Sequence, residues 1–176
     1  MKFKLLNPGP ERSFAVVLDP GDEAMACLGA FARQQRLDAA RFTGIGAFSQ
    51  AVVGFFDLQR KDYEKITLGE QVEVLSLIGD VALGPDGSPQ LHAHVVLAKR
   101  DGSAWGGHLI EARVQPTLEV MLVESPSYLQ RRIDAATTAR DVAQELRKPA
   151  WMLDVSYGFR QGEMEGGMGA RPDMLS

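Results

Sequence analysis

Apolar and polar positions alternate along most of this chain at the spacing of strands, and only one early stretch has the spacing of a helix. Ser13 to Asp19, SFAVVLD, is short, β-branched and apolar, and Pro20-Gly21 closes it as a strand end. From Asp22 through Arg36, Met25, Leu28, Ala32 and Gln35 recur at intervals of three and four, which puts them on one helical face. Asp22 and Glu23 fall in the first turn, where negative charge suits the helix dipole. Beyond Leu37, RFTGIGAFSQAVVGFFDL sets Gly44, Gly46 and Gly54 among β-branched and aromatic residues, and glycine there marks bends or close backbone approach. Its GIGAF run lacks the third glycine of a dinucleotide fingerprint and continues as strand where that motif needs a helix, so a Rossmann reading is rejected. DYEKIT follows, then VEVLSLIGDVAL, an apolar run fit for a central strand, and then the turn Gly84-Pro85-Asp86-Gly87. LHAHVVLAK and a run from Ser103 to Ala112 are two strands joined around Arg100-Asp101-Gly102, and PTLEVMLVES is the last clear strand. After Pro126 the pattern weakens: Ala135 to Arg147 suits a helix, and WMLDVSYGF suits one more strand or a docking arm. The order lacks the strand-helix alternation of a doubly wound sheet, which predicts an α+β fold, a mixed or antiparallel sheet with one early helix packed on it.

Composition narrows this picture. The chain has 176 residues, 45% hydrophobic and 24% charged, which suits one domain with an attached lobe or tail and excludes collagen, coiled coil and global disorder. Lys and Arg number 19 against 23 Asp and Glu, a formal charge of -4, so no overall basic field draws the chain to phosphate backbones or anionic lipid. The apolar run of MKFKLLNPGPERSF stops after Leu6, unlike a secretory leader, and no stretch approaches the ~20 continuous apolar residues of a membrane span; a cytoplasmic protein without membrane contact is expected. Cys27, the single cysteine, lies on the predicted helix with no base or second thiol near it in sequence, and reads as a small half-buried residue. An internal disulfide and a multi-cysteine metal cluster are excluded, leaving nitrogen and oxygen as the expected metal donors.

The three histidines fall together, from His92 to His108. His92 and His94 alternate on a strand, so their imidazoles share a face about 7 Å apart at the backbone. The position of His108 depends on the hairpin. A two-residue Asp101-Gly102 turn pairs His108 with Val95 and turns it away. A three-residue Arg100-Asp101-Gly102 loop, with Gly102 in the left-handed position, sets His94 directly opposite His108 and gathers three imidazoles on one face. Gly102 matches the required position of the longer loop, which is therefore favoured. Three neutral imidazoles suit Zn²⁺ or a similar first-row divalent ion and leave a fourth position for water or a ligand. An acid is then needed to move protons, and Glu73, Glu111 and Glu119 are the candidates. The alternative is that the histidines are ordinary strand residues with the glutamates on solvated faces.

TGIGAFSQAVVGFFD, EVLSLIGDVAL, LHAHVVLAKRDGSAWGGHL and the Val-x-x-Thr-x-Glu-Val run at Val114 to Val120 stand in an order that resembles the plants-and-prokaryotes conserved (PPC) domain, over roughly Arg12 to Asp134. The resemblance implies a PPC-like domain over residues 1–134 and homotrimeric assembly. In plants the domain follows an AT-hook in nuclear DNA-binding proteins; in bacteria it usually stands alone, the type this chain is similar to. Glu70 to Leu77 reads EQVEVLSL where plant members have GRFEILSL, so the partner-binding role of that segment is not carried over. Gly169-Ala170-Arg171-Pro172 matches an Arg-Gly-Arg-Pro hook only in its last two residues, so nucleic-acid binding is not expected. The histidine spacing is also similar to the zinc-binding set of acetolactate decarboxylases, whose fold is considered related, and that likeness makes His92, His94 and His108 the metal ligands. The expected function is a homotrimeric module that binds a divalent metal, zinc foremost, or a small ligand through these histidines, with a regulatory role. The alternatives are a metal-dependent lyase or hydrolase with Glu73 or Glu119 as proton carrier, a DNA-associated protein, and a trimeric scaffold with structural histidines. Residues 135–158 form an extension expected to pack on the core or a neighbouring subunit, because Trp151 to Val155 is too apolar to leave in water. Residues 159–176, rich in glycine, are expected to be a mobile tail.

Overall fold

Strands form where alternation is sustained, and the side each one buries follows from it. The structure is a computed structural model and describes residues 1–9, 11–125, 130–132 and 143–145. Within the unit Met1–Leu146 the elements are β1 (Lys2–Asn7), β2 (Ser13–Leu18), α1 (Ala24–Gln35), β3 (Ala39–Asp57), β4 (Asp62–Leu68), β5 (Val72–Leu83), β6 (Pro89–Ala98), β7 (Ala104–Glu124), β8 (Gln130–Arg132) and β9 (Ala143–Glu145). In β6, Ala93, Val95 and Leu97 are buried while Gln90, His94 and Val96 are exposed, so one face enters the core and the other carries His94.

Among the described residues the sheet is antiparallel throughout except for the single parallel pair Leu83 and Gln130 between β5 and β8. β3 pairs with both β5 and β7, and β6 pairs with the same two strands, so β3, β5, β6 and β7 close a ring. β2 adds to the outer end of β7 and β1 to β2, while β4 folds back on β3. Phe14, Phe42, Phe48, Leu77, Leu97 and Leu118 are fully buried between the ring and α1, and each such side chain contributes about 1.5–3 kcal/mol relative to exposure. The α+β class, with one early helix among the described residues, is therefore observed.

Four local readings change. Glu23 stands before the helix as its N-cap, accepting from the backbone N–H groups of Met25 and Ala26, and no acid lies in the first turn. The buried helix face is Ala24, Leu28, Gly29, Phe31 and Ala32, with Met25 and Gln35 at its margin, because Phe31 docks edge-on against Phe3 and Phe14 at 5.1 and 5.3 Å. The two strands expected from Ser103 to Ser125 are one, β7, in which the extra residues around Pro116 are taken up between Val114 and Leu118, where the β3 register shifts. Proline has no N–H for the ladder, and a bulge is where a sheet tolerates it. Within the segment 135–147 read as a helix, Ala143–Glu145 forms β9 and pairs with β8, since backbone pairing overrides local propensity. The remaining expectations for residues 135–176 lie outside the described residues. Among the described residues, no helix is long and apolar enough to cross a membrane. Cys27 is half-buried on α1 and packs on the core, and burial raises its thiol pKa.

Candidate metal centre

The loop between β6 and β7 sets the register on which the site depends. Lys99 N–H donates to the Ser103 carbonyl at 2.9 Å, Gly102 N–H returns to the Lys99 carbonyl at 3.0 Å, and Gly102 has a φ of 82°. This is the three-residue loop with a left-handed glycine, and it places His94 directly opposite His108. Asp101 ties the loop by accepting from the backbone N–H and the hydroxyl of Ser103 at 2.9 and 2.6 Å. These contacts, the hydroxyl first and the backbone N–H second, hold the Asp101 carboxyl below its ordinary pKa.

The three imidazoles meet on the outer face of the sheet. Ring centroids are 5.0 Å apart for His92 and His94, 5.1 Å for His92 and His108, and 5.5 Å for His94 and His108. The Nε2 atoms of His92 and His94 are 3.2 Å apart, and one nitrogen from each of the three rings lies within 4.8 Å of the others. Tetrahedral zinc with Zn–N bonds of about 2.0–2.1 Å has ligand nitrogens about 3.3 Å apart. One edge of that tetrahedron is already present, and the third nitrogen is within reach by ring rotation. The donor set is all imidazole, which fits a first-row divalent ion.

Two further side chains shape the cluster. Asp80 opposes His92 across β5 and β6, and its Oδ2 lies 4.0 Å from His92 Nδ1. Tyr63 of β4 stacks on His108 with centroids 4.8 Å apart and planes at 24°. The ring reaches His108 by crossing Gly54, where an added Cβ would stand 2.6 Å from Tyr63 Cδ1. Gly54 itself pairs with His108 on β7 and with Lys65 on β4, so its missing side chain is the notch through which tyrosine meets histidine. Asp80 was legible in advance by the same hairpin arithmetic, since the turn from Gly84 to Ser88 sets Leu83 opposite Pro89 and Asp80 opposite His92. No local pattern pointed to Tyr63, whose approach depends on β3, β4 and β7 together.

The glutamates singled out as proton carriers stand elsewhere. Glu73 pairs with Ala98, roughly 13 Å beyond His94 at the rise of an extended strand, and shares a groove with Glu70, Lys99 and Arg100. Glu119 lies in the outer half of β7 between Val17 and Ile45. Glu111 lines a small pocket with Glu23 and Arg113. None of the three belongs to the histidine group. Beside that group runs an apolar groove of ≈430 Å³ whose walls include Val17, Ile45, Leu75, Ile78 and Met121, with Glu119 at its side. Ile78 on its wall is the cross-strand neighbour of His94, though no histidine lines the groove itself.

The model of the Plants and Prokaryotes Conserved (PCC) domain matches residues 6–126. The bifunctional protein GlmU of Synechococcus sp. strain JA-3-3Ab is 37% identical over 135 residues, 75% of this chain and 20% of its own length. The chain thus spans about a fifth of the length of the curated relatives it matches. A solved plant- and prokaryote-conserved protein from Pyrococcus horikoshii is 30% identical with a TM-score of 0.70, covering 84% of this chain and 97% of that one. A solved protein from Archaeoglobus fulgidus described as metal-containing is 33% identical with a TM-score of 0.69, covering 80% and 96%. The likeness to α-acetolactate decarboxylase from Bacillus subtilis strain 168 is weaker, at 15% identity and a TM-score of 0.45 over 81% of this chain and 63% of that one.

Proposed function

Because the chain belongs to the Plants and Prokaryotes Conserved domain family, we propose that it works as a metal-binding module in which His92, His94 and His108 hold one divalent first-row ion, zinc foremost. The observation that carries this reading is the convergence of three ring nitrogens within 4.8 Å on a rigid antiparallel hairpin. The description of the Archaeoglobus fulgidus protein as metal-containing supports it. Three imidazoles leave a coordination position for water or an oxygen donor of a small ligand, and the ion would supply Lewis-acid polarisation of that donor. The protein's own part is to present neutral imidazoles in fixed orientation. None of the glutamates expected to move protons belongs to the histidine group, so ligand binding is favoured over turnover.

We also propose that three copies assemble through the outer face that bears the apolar groove. Ile45, Leu75, Ile78 and Met121 are about half or more exposed there, and a contiguous apolar surface of this kind marks an interaction site. Phosphate backbones are poor partners for a chain of net charge -4.

Metal analysis of the purified protein, with unfolding followed as Zn²⁺ is added, tests the reading. One ion per chain is expected, and at a hundredfold excess over Kd the folded state gains about 2.7 kcal/mol. His94→Ala should abolish both effects, since His94 is exposed on the sheet and its loss leaves the core intact. Substoichiometric metal after reconstitution, with no Zn²⁺-dependent stabilisation, sinks the proposal.

A further inference from the structure

We infer that Asp80 is a positioning residue for the metal centre: it fixes His92 as the Nδ1–H tautomer and so turns the Nε2 lone pair toward the ion. The inference rests on the reading of the three histidines as ligands, and two separate contacts carry it. First, Nε2 of His94 and Nε2 of His92 are 3.2 Å apart. With no ion between them, one ring donates and the other accepts at that distance, because two bare lone pairs or two N–H groups would repel. Second, the other nitrogen of His92, Nδ1, faces the Asp80 carboxylate at 4.0 Å, with both side chains only about a quarter exposed. A carboxylate is acceptor-only, so its charge favours the proton on the nearer nitrogen. The two contacts agree on one assignment: His92 carries its proton on Nδ1 toward Asp80, and its Nε2 accepts from His94.

That assignment is also the one a metal ion requires of His92. A ligating imidazole commonly gives its second N–H to a carboxylate, which sets the ring's orientation and raises its basicity. Asp80 reaches this place because it opposes His92 on the neighbouring strand, a position fixed by the β5–β6 register rather than by a flexible loop. On its other side Asp80 opposes Arg41 of β3, so Arg41, Asp80 and His92 occupy successive strands in one row of the outer face.

Long-range ¹H–¹⁵N correlation spectra of the metal-free, ¹⁵N-labelled protein, taken at about pH 8 where imidazoles are neutral, read the tautomers directly. The wild type should show His92 as Nδ1–H. Asp80→Ala should move His92 toward the Nε2–H form and weaken Zn²⁺ or Co²⁺ binding about 10–100-fold, the range seen when such outer partners are lost. Asp80→Asn, which keeps the shape and a carbonyl oxygen but loses the charge, should restore only part of both. The Co²⁺ absorption bands of Asp80→Ala should also change shape, because the ring angle is no longer held. An unchanged His92 tautomer in Asp80→Ala, or metal affinity within twofold of wild type, overturns the inference. A wild type that shows the Nδ1–H form but binds no metal overturns the metal reading instead, so the two failures are distinct.

Discussion

Gly54→Ala tests whether Tyr63 holds His108 in place. Gly54 is buried and its φ lies outside the left-handed region, so alanine meets no backbone penalty there and any effect comes from the added methyl. That methyl would stand 2.6 Å from Tyr63 Cδ1 and 3.0 Å from Ile110 Cδ1. Carbon atoms settle at about 3.5–4.0 Å, so the tyrosine ring must retreat by roughly 1 Å, away from the imidazole it stacks on. Overpacking of this kind costs about 1–3 kcal/mol, and loss of an aromatic stack adds about 0.5–1.5 kcal/mol. A net loss near 2 kcal/mol lowers Tm by roughly 6–8 °C in a domain of this size. Urea or thermal unfolding of the wild type, Gly54→Ala, Tyr63→Ala and the double variant measures it. Since Tyr63 is the group displaced, removing its ring relieves the clash, and the double variant should lose about 1 kcal/mol less than the sum of the singles. Zn²⁺ affinity of Gly54→Ala should fall about tenfold as His108 loses its support. Strict additivity in the cycle, or Gly54→Ala at wild-type stability, would refute the notch.

Three other outcomes follow from described contacts. Asp101→Ala should destabilise the protein at neutral pH. The folded-state pKa of Asp101 is depressed by Ser103, so its contribution is present above the unfolded value of about 3.9 and is lost as pH falls through the lower folded value. The stability gap between wild type and variant should therefore close below about pH 4, and a gap constant from pH 6 to 3 would contradict this. Arg12 clamps Glu124 through Nε and Nη2 at 2.6 and 2.5 Å, with the two side chains 30% and 18% exposed; Glu124→Gln should cost about 1 kcal/mol in urea unfolding, and no change would remove the clamp from the account. Ile45, 60% exposed in the single chain, lies on the apolar surface, and Ile45→Lys places a charge there. Light scattering should show a trimer for wild type and a smaller species for the variant, and a trimer retained in Ile45→Lys argues against assembly through that face.

What could be read in advance divides along sequence distance. The loop at Arg100-Asp101-Gly102 is local chemistry, so the pairing of His94 with His108 followed from one glycine, and Asp80 was open to the same counting. The strands of the ring were legible because their alternation is strong. β1 was not, since it is wholly exposed and announces no buried face. The face of α1 was misjudged toward Met25 and Gln35 because Phe31 finds Phe3 and Phe14, partners that spacing along the helix does not reveal. Glu73 and Glu119 seemed near the histidines only by residue type. Their distance is set by strand lengths and by the shift between Val74 and Ser76, which single-strand patterns do not encode. Tyr63 depends on three strands and a glycine, a juxtaposition visible only once β3 lies between β4 and β7.

The ring of β3, β5, β6 and β7 has a kinetic meaning. The pairing of β6 with β7 joins neighbours across a three-residue loop, whereas Phe14 with Leu122 and Ala40 with Glu124 join opposite ends of the domain. Loop-closure entropy favours the short connection, so the hairpin that bears the imidazoles is among the most local pairings of the ring. The pairing of β3 with β7, which closes the ring, is non-local and on contact-order grounds the slower event. The histidine hairpin is thus expected to form early, and an ion captured there would act on the folding limb of a chevron plot as well as on the unfolding limb.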